Sequence, residues 1–161
     1  MYKPLAWSGF LGFVGLVGCA VPTIGDGRFE VDVKMAQWVD LWRTYDLDRL
    51  DDLFLTDDRL TYLSSEKEGL IVGRDAVREH HVGFGFVSGG KAPEQELWVD
   101  EVHATQLGST AVVTAVWYFG DRTLPPAENQ RGPATFVYTM DRGEYRLAHL
   151  NFGNYEASAG N

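Results

Sequence analysis

From Gln95 to Gly153 the chain repeats one pattern four times: a segment of alternating apolar and polar side chains, then a turn or loop. The segments are QELWVDEVHATQL, TAVVTAVWYFG, ATFVYTM and EYRLAHLNFG, joined at Gly108-Ser109, across the Pro125-Pro126 loop and at Asp141-Arg142-Gly143. Period-two alternation bounded by turn residues predicts long antiparallel strands with one face buried. Such a sheet needs a second layer over its apolar face, and the sequence before Gln95 supplies one. Met35, Trp38, Val39, Trp42 and Tyr45 recur at helical spacing, with Asp32 as the expected N-cap. Asp46 is placed to cap a shorter helix whose apolar stripe is Leu47, Leu50, Leu53 and Phe54. RLTYLS and LIV predict a short hairpin ending at Gly73, and RDAVREHHVGFGF predicts a third helix through Val77, His80, His81 and Phe84. Three helices followed by a curved, mainly antiparallel sheet is an α+β order, and 161 residues with 45% hydrophobic content suit a single core.

Charge and motif content narrow the chemistry. With 14 Lys+Arg against 23 Asp+Glu the chain is acidic, which disfavours a surface that neutralises nucleic-acid phosphates. GFVSGGKA has the glycine and lysine spacing of a phosphate-binding loop. It lacks a Ser or Thr after Lys91, follows a helix instead of a strand, and runs into Pro93, so it is expected to be a linker. His80, His81, His103 and His149 show none of the short metal-binding spacings, and no G-x-S-x-G elbow is present. Neither a metal nor a cofactor is expected.

The first residues read as a targeting segment. Lys3 and the amino terminus are positive, Leu5 to Val17 is an apolar run, and the single cysteine, Cys19, follows Gly18. LVGC resembles the lipobox of bacterial lipoproteins. That resemblance implies removal of residues 1–18, lipid attachment at Cys19, a polar tether over 19–27 and a folded domain over 28–157. Several acyl chains hold a soluble domain at a membrane stably, where one chain is marginal. The expected setting is the bacterial cell envelope, with Ala20 pointing to the outer membrane and a domain facing the periplasm.

The order helix, helix, short hairpin, helix, four long strands is similar to the NTF2-like superfamily. GLIVGRDAVREHH, GSTAVVTAVW and DRGEYRLAHLNFG resemble the third helix, a central hairpin and the closing hairpin of its SnoaL-like branch. The resemblance implies a cone enclosing a pocket between helices and sheet, on a fold that hosts isomerases, dehydratases, cyclases and non-catalytic binding domains. Strict alternation of the last strand would put Tyr145, Leu147, His149, Asn151 and Gly153 on one face, and Arg146, Ala148, Leu150 and Phe152 on the other. In the resembling family the first face looks into the pocket and carries two histidines and a serine. Here His149 matches the first histidine, while Asn151 and Gly153 replace the others. Expected catalytic residues are therefore His149, Tyr62 and His80, and expected ligand-binding residues are Trp38, Trp42, Tyr45, Phe84 and Asn151. Ketosteroid-isomerase relatives need a carboxylate base just past the first strand. Here Ser64, Ser65 and Glu66 occupy a turn expected to be exposed. The favoured function is binding of a small apolar or amphipathic molecule, or of an envelope protein partner. The alternative is cofactor-free, SnoaL-type proton transfer through His149. The sheet face bearing Leu150 and Phe152 is expected to be exposed, which suits a homodimer.

Overall fold

The computed structural model describes residues 28–156; Cys19, the segment before it and the tether lie outside the described residues. Helix α1 spans Val31–Thr44, and its i, i+3, i+7 stripe of Met35, Trp38 and Trp42, together with Leu41, is buried. The N-cap is Glu30 and makes no side-chain cap bond. Asp32, expected to be the cap, instead sits in the first turn, where a negative charge complements the helix dipole. Tyr45 ends the helix in the left-handed conformation (φ 49°). Asp46 caps the next element as expected, its carboxylate accepting from the Asp48 N–H at 3.0 Å. That element is a 3₁₀ turn, Leu47–Arg49, running into α2, Leu50–Leu53. Strands β1 (Thr61–Leu63) and β2 (Ile71–Val72) form the short hairpin, and α3 spans Arg74–Gly83.

The long strands follow: β3 Glu96–Leu107, β4 Thr110–Gly120, β5 Gln130–Asp141 and β6 Glu144–Phe152. All six strands form one sheet in the order β2-β1-β6-β5-β4-β3, antiparallel except for the parallel β1–β6 pair. β5 starts before the expected Ala134. Its pairing with β4 continues to Phe119↔Gln130 after β6 has ended at Ala134↔Phe152, so Pro133 sits where no β6 strand residue faces it. The chain leaving β6 crosses over Gly132, where the Gly153 carbonyl occupies the space that a Cβ would need. The same carbonyl accepts the Trp117 indole N–H at 2.8 Å and fixes that ring on the inner face.

Two bulges bend the sheet. In β3 the register shifts between Asp100 and His103, with Glu101 at φ 54°. In β6 His149 pairs with Val137 but Leu147 pairs with Tyr138, so one residue, Ala148, is inserted between them. The insertion reverses the alternation. Before it Tyr145 and Leu147 face the core; after it Leu150 (1% exposed) and Phe152 (7%) do, and His149 and Asn151 face outward. This corrects the expected faces, and it removes the ground for a homodimer through exposed Leu150 and Phe152. Leu150 belongs to the central core, and Phe152 is covered by α1: it stacks on Trp38 at 5.5 Å between centroids, and Trp38 meets Phe136 edge-on at 4.9 Å.

Candidate functional site

Between the helices and the inner face of the sheet lies a cavity of about 360 Å³. Its walls come from every layer: Trp42 and Tyr45 from the end of α1, Gly83 and Phe84 from the end of α3, Tyr62 from β1, Trp117 and Phe119 from β4, and Phe152 from β6. Helical spacing brings Trp42 and Tyr45 to one side, and period-two spacing brings Trp117 and Phe119 to the other. Leu97 completes the apolar lining, and the polar groups are Ser65, Glu66 and Gln130.

The aromatic wall is tightly interlocked. Trp42 lies 5.8 Å from Tyr45, 5.3 Å from Phe84 and 5.2 Å from Phe86, and Tyr45 stacks on Phe86 at 4.5 Å. The Trp42 indole N–H is buried and has no hydrogen-bond acceptor among the described residues. Buried donors are normally partnered, so this one is an open position next to the cavity. At the mouth, the Gln130 amide donates to the Glu66 carboxylate at 2.5 Å and to the Asn154 side chain at 3.3 Å, and the Ser65 hydroxyl donates to Glu66 at 3.3 Å. These bonds tie the β1–β2 loop to the start of β5 and to the chain after β6.

Four of the expected residues, Trp42, Tyr45, Phe84 and Tyr62, line this cavity. Tyr62 is almost fully buried, and burial pushes its phenol pKa far up, so it stays a neutral hydrogen-bonding group. Trp38 lies one layer deeper, 1% exposed and stacked on Phe152, and so supports the wall without forming it. His80 sits behind the wall, 5.3 Å from Tyr62 and 4.6 Å from Phe84, with its Nε2 buried and without a partner among the described residues. Burial, then the nearby Lys67 charge, lowers its pKa.

His149 and Asn151 are elsewhere. The bulge at Ala148 turns both onto the outer face of the sheet, Asn151 is exposed, and His149 Nδ1 is hydrogen-bonded at 2.8 Å to the Thr61 hydroxyl. An imidazole on that face cannot reach a molecule in the cavity. Sequence reasoning missed Glu66, Ser65 and Gln130, whose convergence across 64 residues only the fold reveals. It also missed Trp117, Phe119 and Phe152. The alternation of TAVVTAVWYFG carried a signal for the first two, whereas the bulge hid Phe152. Among the described residues no three His, Cys, Asp or Glu side chains converge to hold a metal ion.

A cone of helices on a strongly bent sheet, closed around an aromatic cavity, defines the NTF2-like, cystatin-like class of α+β domains. Within that class the chain belongs to the family of SnoaL-like domains, whose model matches residues 31–152. Solved structures agree on the fold. An NTF2-like superfamily protein from Salmonella enterica serovar Typhimurium has a TM-score of 0.62 at 16% identity, covering 81% of this chain and 92% of the other. A candidate dehydratase of the NTF2-like family from Streptomyces avermitilis has a TM-score of 0.63 at 17% identity, covering 79% and 94%. An NTF2-like protein of unknown function from Pseudomonas putida KT2440 has 0.64 at 13%, covering 80% and 87%. No curated protein matches the chain significantly. At these identities the solved structures speak to fold alone.

Proposed function

We propose that this chain is a lipid-anchored envelope domain that holds a small apolar or amphipathic molecule in its cone. The observation that carries the reading is the cavity itself: about 360 Å³, walled by aromatic rings from five secondary-structure elements, with its carboxylate and amide side chains at the mouth. Ligand sites are typically concave and apolar, with few polar groups that set orientation. Binding is favoured over proton transfer because His149, the base on which the enzymatic alternative rests, lies on the opposite face of the sheet.

Gly83 offers a clean test. It lines the cavity, and a Cβ added there meets nothing within 4 Å, so the backbone at Gly83 accepts a side chain and Gly83→Leu is expected to take up cavity space. The neutral fluorescent probe N-phenyl-1-naphthylamine should bind the parent saturably. The variant should bind it at least about tenfold more weakly, with unchanged or slightly raised thermal stability because leucine favours helix over glycine. Equal binding by the two proteins would remove the cavity as the site.

The anchor is tested separately. Cys19→Ser should abolish labelling by a palmitate analogue and move the protein from the membrane to the soluble fraction, since the acyl chains would supply the membrane affinity. Among the described residues no helix is long and apolar enough to cross a membrane. Unchanged fractionation of the variant would leave Cys19 without that role.

A further inference from the structure

Among the described residues, every one that lines the cavity is neutral except one. Glu66 places a carboxylate at the mouth, and among the described residues no lysine or arginine lines the cavity with it. Glu66 makes hydrogen bonds to Gln130 and Ser65, and among the described residues no Lys, Arg or His lies within ion-pair distance of it. Seven of the twelve lining residues are aromatic. Ring faces carry partial negative charge and attract cations, most strongly when these are desolvated. An uncompensated carboxylate above a box of aromatic rings is electrostatically suited to one charge type.

One wall residue already holds an ammonium group. Lys91 Nζ lies 5.5 Å from the centroid of Tyr45, in a neighbouring groove that also contains Glu94. The basic groups near the site are Lys91, Lys67, the residue after Glu66, and His80, which packs on the lining rings of Tyr62 and Phe84 and feels the Glu66 charge; none of the three lines the cavity. The cavity's volume corresponds to about a dozen water-sized groups at about 30 Å³ each. That admits a small organic cation with a short apolar tail.

Resting on the binding function above, we propose that the ligand class is a cationic amphiphile, an alkylammonium or quaternary ammonium compound. Its charged head sits between Glu66 and the rings at the mouth, and its tail points toward Trp117 and Phe152.

Three probes of matched length separate the charge requirement from binding itself: hexyltrimethylammonium, octan-1-ol and octanoate. The full chain is titrated without detergent by calorimetry and tryptophan fluorescence, since Trp42 and Trp117 line the cavity. Hexyltrimethylammonium should bind tightest. Glu66→Gln, which keeps a hydrogen-bond acceptor for Gln130, should weaken it about tenfold and shift octan-1-ol by far less. Phe84→Leu, which removes a ring but keeps an apolar side chain, should weaken the cation about fivefold and the alcohol by clearly less. Octan-1-ol or octanoate binding as tightly as the cation would overturn the cationic assignment and leave the binding function standing. A Glu66→Gln protein that holds the cation unchanged does the same. No saturable binding of any probe would overturn both.

Discussion

Replacing Leu150 by alanine should destabilise the domain by about 3 kcal/mol, whereas His149→Ala, one residue away, should lose no more than about 1 kcal/mol. Leu150 is 1% exposed, pairs with Phe136 on one side and Tyr62 on the other, and belongs to the central core. Removing its side chain leaves a cavity that the rings around it cannot close without repacking. His149 gives up one partly buried hydrogen bond to Thr61, and water can replace much of it. Equilibrium urea denaturation of both variants measures the difference directly. The same pair tests the bulge: unbroken alternation from Tyr145 would bury His149 and expose Leu150, reversing the two values. A larger loss for His149→Ala would therefore remove the bulge and return His149 to the cavity.

That inversion marks the limit of what the sequence discloses. Helices and long strands were legible because each repeats its period many times, so an error at one residue does not change the pattern. Trp42, Tyr45 and Phe84 were legible as cavity residues for the same reason: 3.6-residue spacing places them on helix faces that must meet the sheet. In β6 a single inserted residue decides which side chains enter the site, and no glycine or proline within YRLAHLNF marks it. Glu101 in β3 adopts its left-handed conformation with equally little local signal. The constraint acting at Ala148 comes from neighbours far along the chain. Phe54 bridges to Leu147 while Thr61 pairs with His149, so two separate segments hold β6 on either side of the insertion. Glu66 was visible as a turn residue, but its position at the cavity mouth depends on Gln130 and Asn154, which the closing of the sheet brings to it.

Lowering the pH from 6.5 to 4 should remove about 3 kcal/mol of stability, and His81→Leu should remove most of that dependence. His81 is buried on α3, with Phe86 at 5.1 Å, Phe54 at 5.8 Å, and Trp42 and Tyr62 both at 6.0 Å. Its Nδ1–H donates to the Val77 carbonyl at 2.8 Å, so the neutral ring carries its proton there. Burial among these rings disfavours the imidazolium and lowers the pKa from 6.5 to about 4. Above pH 7 the ring is neutral in both the folded and unfolded chain, and stability does not respond to it. Below 6.5 the unfolded chain takes up a proton that the folded one refuses. Each pH unit then favours unfolding by about 1.4 kcal/mol until the folded pKa is reached. His80 and His149, also lowered by burial, act in the same direction. Asp51, whose pKa is held down first by its hydrogen bonds from Arg74, loses its contribution only in more acidic solution and so lies outside this window. Urea midpoints measured at half-unit steps from pH 7.5 to 4 should fall steeply for the parent and only shallowly for His81→Leu. Parallel curves for the two proteins would mean that another group titrates there.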